Sequence, residues 1–198
     1  MQEGIWVQIV AKTWAKAILY VANEVIRVWI IILQQRGLGN EKLLQDKETI
    51  NNGLFTWLLT HHLERAVLEM YQEGATEAVE RWDMIFKYAD PNKENVTGQE
   101  EVDDVWKTYL DEVLEFIMRK LNVLPSGTTY RVVVGLRDEV EGFPPPFEVS
   151  GWSPTTLRKA DHLTRSISEA TCDGSQITIW MEAVAQPQIP HSQGGQSK

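Results

Sequence analysis

Apolar residues alternate with polar ones in three stretches of the middle of the chain. Trp82, Met84, Phe86 and Tyr88 share one face at period two, and Tyr130, Val132, Val134 and Leu136 do the same further on. With LERAVLEMYQ (residues 63–72) and a Gly74-containing loop of 73–77 ahead of the first, the pattern predicts a hairpin, strands 63–72 and 78–89, and a third strand, 128–136. Upstream the period changes. From Trp14 to Gln35 the polar residues Lys16, Asn23, Arg27 and Gln34 form a narrow stripe on a helix, leaving Ile18, Val21, Val25, Val28, Trp29 and Ile32 in a broad apolar surround. That describes a central helix, stopped by Gly37, Gly39 and Asn40. A second helix is expected over 45–60 with Leu44, Ile50, Leu54, Trp57 and Leu58 inward, although Asn51, Asn52 and Gly53 are weak helix formers.

The polar stretch 90–99 reads as a surface connection, after which Glu100, Glu101, Asp103 and Asp104 crowd the start of a third helix, where the macrodipole favours negative charge. Its apolar residues, from Val102 through Leu110, Val113, Leu114, Ile117 and Leu121, keep three-four spacing to Leu124, where Pro125 and Gly127 end it. Residues 138–154 have neither period. Pro144, Pro145 and Pro146 fix φ and lack donors, so this segment reads as a stiff extended strap. Residues 164–171 and 176–184 bracket Asp173-Gly174 as a last hairpin, and the Gln-, Pro- and Gly-rich 186–198 reads as a disordered tail. Three helices and an antiparallel sheet make a two-layer α+β domain.

Composition narrows the function. The 198 residues (22.7 kDa) suit one domain, and 43% hydrophobic residues with eight Trp predict an aromatic-rich core. A net charge of −9 argues against direct binding to nucleic acid or to anionic lipid. Cys172 is the single cysteine, so no intramolecular disulfide or thiolate cluster is expected, and its plain reading is a small residue beside a turn. The N-terminus lacks a secretory pattern, which points to a cytoplasmic location, and Lys16, Glu24 and Arg27 interrupt the most apolar stretch, so it reads as a buried helix, not a membrane span.

Catalytic signatures are missing. His61 and His62 diverge on either a helix or a strand, so they do not share a metal, and phosphate-binding, dinucleotide and G-x-S-x-G motifs are absent. No metal, cofactor or enzymatic activity is expected.

The order of parts nevertheless resembles a known family. Glu80-Arg81-Trp82 on the second hairpin strand, Leu124-Pro125 closing the long helix, and the strand over 129–136 are similar, in that order, to HORMA domains. The strings at 57–71, 80–83, 130–134 and 151–158 (GWSPTTLR) are most similar to the bacterial group. The resemblance implies a HORMA fold over 1–184, with a terminal handle (1–13), a C-terminal safety belt (138–184) and a tail from 185 to 198. It implies a signalling regulator that binds a closure-motif peptide between sheet edge and belt, a conformational switch with Tyr130, Val132, Val134, Gly151, Trp152 and Arg158 as the contact set. Trp152 is the expected belt anchor, against the simpler reading of a fixed core residue.

Similarity to regulators of CBASS antiviral defence further implies two partners in a bacterial cytoplasm. One is a cGAS/DncV-like nucleotidyltransferase activated by the closed form. The other is a AAA+ remodelling ATPase that takes hold of Ile5, Trp6 and Ile9, residues that could instead dock on the sheet. A constitutively closed scaffold, or a tail that donates a closure peptide to another HORMA protein, is the alternative.

Overall fold

The computed structural model describes residues 6–9, 14–88, 107, 110–118, 121–142, 144–146, 148–159, 164–168 and 177–185. They form strands β1 (Trp6–Ile9), β2 (Leu63–Gln72), β3 (Ala78–Tyr88), β4 (Thr128–Leu136), β5 (Thr164–Ser168) and β6 (Ile177–Ala185), with helices α1 (Trp14–Gln35), α2 (Glu41–Gln45) and α3 (Lys47–Leu59). Residues 110–118 are also helical.

All six strands join one antiparallel sheet in the order β1-β6-β3-β2-β4, with β5 also on β6. The border of β6 that faces away from β3 is shared: β1 pairs with residues 177–180 and β5 with 181–185. The two ends of the chain therefore meet on one side of the sheet. On the other side β4 pairs along its whole length with β2.

Alternation assigns the two faces. Ala66, Leu68 and Met70 of β2, Trp82, Met84 and Phe86 of β3 and Tyr130 of β4 share one buried cluster with α1, α3, Leu110, Val113 and Ile117. Helix α1 is central to it: Ile18, Val21, Val25, Val28, Trp29 and Ile32 are all fully buried, the core helix its narrow polar stripe predicts. It ends in a Schellman turn, with Leu38 N–H on Leu33 O and Gly37 N–H on Gln34 O.

The sequence reading needs four corrections. The expected helix over 45–60 is two helices that meet at Asp46, and Leu43 (1% exposed) enters the core where Leu44 (49%) was expected. The break turns the short α2 by one position relative to α3, and periodicity read through it misassigns the face. The long helix does not run to Leu124, since Leu121 already makes a lone bridge, although it stays buried. Strand β6 extends to Ala185, one residue past the expected domain end. The start of the long helix, the Asp173-Gly174 turn, Cys172, Ile5 and residues 186–198 lie outside the described residues.

Candidate functional site

The face of the sheet turned away from the helices is unusual in its charge. Along one cross-strand row, Arg81 of β3, Glu69 of β2 and Arg131 of β4 stand opposite one another. Glu69 is fully buried. Arg131 Nε donates to its Oε2 at 2.5 Å, while Arg158 donates from its backbone N–H to Oε1 at 2.7 Å and from its guanidinium to Oε2 at 3.0 Å. Arg81 turns to Asp83, two residues along the same face, at 2.9 Å. A buried carboxylate needs such partners, because desolvating an unpaired charge costs several kcal/mol.

Arg158 belongs to the strap, so Glu69 fastens the strap to the sheet. Its guanidinium also lies 3.5 Å from the centroid of the Tyr71 ring and donates to Ala75 O, and Arg131 donates to Thr155 Oγ1 and Thr156 O. Lys159 completes the attachment by exchanging backbone hydrogen bonds with the β2–β3 turn, N–H to Thr76 O and O from Ala78 N–H.

Before this point the strap is seated on the helix layer. Trp152 donates from Nε1 to Thr49 O at 3.1 Å and meets the Trp57 ring edge-on at 5.2 Å. Its ring lies over Gly53, where a Cβ would come within 2.4 Å of Trp152 Nε1. Gly53, a helix-weakening residue by propensity, is thus the floor of the Trp152 seat. Gly151 has φ +86°, and a Cβ there would also come within 2.6 Å of Thr49 Cγ2.

The strap therefore passes from α3 on one side of the sheet to Glu69 on the other, at the β4 border. Between strap, β4 and α2–α3 lies a cavity of about 270 Å³, walled by Leu43, Ile50, Tyr130, Val132 and Trp152, with Lys42 and Asp46 also on its lining. Among the described residues no strand pairs with the outer border of β4. Tyr130 ties β4 to α2, its hydroxyl accepting Leu43 N–H at 3.0 Å; burial pushes that hydroxyl's pKa up, this hydrogen bond opposes the shift, and the nearby Glu41 and Asp46 carboxylates add to it.

Of the six peptide-contact residues expected from the sequence, Tyr130, Val132, Gly151 and Trp152 line this one cavity. Val134 follows on the same face of β4, packed against the core, and Arg158 sits on the opposite face of the sheet with Glu69. Of the expected handle, residues 6–9 form β1, in which Trp6 pairs with Trp180 and Ile9 with Ile177. Glu69, Arg131, Tyr71, Thr49 and Gly53 were not anticipated; the alternating charges of Arg65, Glu69, Arg81, Asp83 and Arg131 were the available signal, but only the register turns them into a cluster.

The family motif has a structural task. Glu80 (1% exposed) accepts from both Arg36 at the end of α1, at 2.7 Å, and Trp82 Nε1, also at 2.7 Å, and Arg36 goes on to Asn122 O. Burial pushes the Glu80 carboxyl up from its ordinary value, with Arg36 and Trp82 working against that. The paired histidines end α3 in a second Schellman turn, His62 N–H on Trp57 O and His61 N–H on Leu58 O. His61 takes the left-handed position (φ 60°), stacked on Tyr88 at 4.4 Å. Among the described residues no His, Cys, Asp and Glu group could hold a metal.

The profile of the family described as Bacterial HORMA domain 2 matches residues 7–183. The chain is a bacterial HORMA domain. Among solved structures the HORMA domain resembles a chain of the mitotic checkpoint complex (TM-score 0.66, 15% identity, 88% of this chain and 99% of that one). It also resembles HTP-1 of C. elegans bound to the HIM-3 closure motif (TM-score 0.67, 15% identity, covering 88% and 91%). A third likeness is to the CdnC:HORMA-deltaN complex of E. coli MS115-1 (TM-score 0.50, 8% identity, covering 91% and 94%). At such identities the likeness establishes the HORMA fold alone. No curated protein matches the chain.

Proposed function

We propose that this HORMA domain is a non-enzymatic adaptor that captures an extended peptide as an added strand on β4 and holds it beneath the 138–159 strap. The observation that carries this reading is the β4 border itself, which lacks a strand partner among the described residues, opens beside the cavity and is spanned by a strap fastened on both sides. A strand added there gains affinity from main-chain hydrogen bonds, and the strap slows its escape. HORMA proteins of the same fold are bound to closure motifs, which supports the reading.

In this proposal the peptide-bound form binds and activates a cGAS/DncV-like nucleotidyltransferase of a CBASS system in the bacterial cytoplasm. A AAA+ ATPase releases the peptide by pulling on Ile5, Trp6 and Ile9. The complex of a HORMA protein with CdnC supports the first partner by analogy. A second reading, a constitutively closed scaffold, is favoured by β1, since the segment containing Trp6 and Ile9 is already a strand against β6.

Amide exchange with and without a bound peptide tests the proposal. Added protection confined to residues 128–136 and the strap supports strand capture; protection elsewhere, or none, overturns it. An ATPase that converts the closed protein to a second species by ion-exchange chromatography excludes the scaffold.

A further inference from the structure

The cavity beside β4 carries more than a place for a strand, and the inference rests on the peptide-capture reading above. We infer that it is a single anchor pocket for one large apolar side chain of the captured peptide, with Val132 and Trp152 setting the size it accepts.

The position follows from strand geometry. A strand added to β4 places alternate side chains on the helix side, each directly across from a helix-side residue of β4, with Cβ atoms about 5 Å apart. Those residues are Tyr130, Val132, Val134 and Leu136, and of these only Tyr130 and Val132 line the cavity. Val134 and Leu136 pack against the core. One peptide side chain therefore enters a pocket, across from Val132, and its neighbours two residues away do not.

The chemistry follows from where the polar atoms of the wall are engaged. Trp152 Nε1 is bonded to Thr49 O, and the Tyr130 hydroxyl is turned to Leu43 N–H. What the pocket offers is two aromatic rings with the aliphatic carbons of Leu43, Ile50 and Val132. A charged or amide side chain would give up water for these and recover little, whereas an apolar one gains by burial. A cavity of roughly 150 Å³ takes a benzene ring, so about 270 Å³ accommodates Phe, Tyr, Met or Leu. The roof is set in advance, because Trp152 is keyed onto Gly53 and Gly151 onto Thr49.

A random-peptide display library, selected in parallel on the wild-type chain and on Val132→Ala and Val132→Trp, tests the inference. The wild type is expected to enrich peptides sharing one Phe, Tyr, Met or Leu position, and its exchange for Ala in a selected peptide is expected to lower affinity about 30-fold or more. Val132→Ala is expected to shift the shared position toward Trp, and Val132→Trp toward Ala, Ser or Gly. Enriched peptides that lack a shared apolar position, or that keep the same preference on Val132→Ala, overturn the anchor pocket and leave strand capture standing. Enrichment of no peptide by the wild type overturns strand capture, and the pocket with it. Thermal unfolding checks that Val132→Trp is folded; if it is not, Val132→Ala decides alone.

Discussion

Glu69 and Glu80 are both buried, both bonded to arginine, and one residue apart in the β2–β3 register, yet they lie on opposite faces of the sheet. Glu80 joins parts of the scaffold: the end of α1 through Arg36, its own strand through Trp82, and the segment after the long helix through Asn122. Glu69 joins the scaffold to the strap through Arg158, with Arg131 shared between the carboxylate and Thr155–Thr156. The same chemistry thus serves two purposes. What a buried carboxylate does depends on whether its partners can leave without unfolding the core. Arg36 cannot; Arg158, on a strap without regular secondary structure, can.

The largest expected effect tests the scaffold side. Arg36→Met leaves the Glu80 carboxylate buried without its guanidinium and is expected to destabilise the whole domain by about 3–5 kcal/mol in denaturant unfolding. Arg158→Met should cost less, about 1–3 kcal/mol, because Arg131 still faces Glu69. Its faster amide exchange should be confined to residues 152–159. A uniform loss of protection across α1 and the sheet in Arg158→Met would abolish the distinction.

Gly53→Ala sharpens the comparison at the other end of the strap. By helix propensity alone the change stabilises by up to about 1 kcal/mol. Because the new Cβ meets Trp152, it is expected to destabilise the wild type and to stabilise a Trp152→Ala background, where the space above Gly53 is vacated. The same sign in both backgrounds contradicts the seat.

The smallest effect is a pH dependence at the end of α3. Burial, then the Arg137 guanidinium, then His62 hold the His61 pKa below its ordinary 6.5. The folded state thus binds this proton less readily than the unfolded chain, so the contribution of His61 to stability is complete above about pH 6.5 and is lost as pH falls toward its lowered value. His61→Asn keeps a residue tolerant of the left-handed position and removes the titration. The difference between variant and wild type in unfolding free energy should change through that window in this direction, and a pH-independent difference would refute it.

Much of this was legible in the sequence because local rules governed it. The strands Leu63–Gln72 and Thr128–Leu136 and the helix Trp14–Gln35 follow from periodicity alone, and the observed bounds agree with the expected ones. Trp152 and Gly151 were legible as special residues of the strap. Their seat was not, because Gly53 reads only as a weak point of a helix until the residue that lies over it, 99 positions later in the chain, is placed. Glu69 was hidden for the same reason: its role depends on β2–β4 register and on a strap that returns across the sheet. Leu44 was misplaced because periodicity was read across the break at Asp46.

The dissociation rate of one peptide selected on the wild type, compared between the wild type and Arg158→Met, tests the strap as a removable clasp most directly. Release should be about tenfold faster or more in the variant, with association changed by less than about threefold. Equal dissociation rates, with peptide bound to both, would contradict the account.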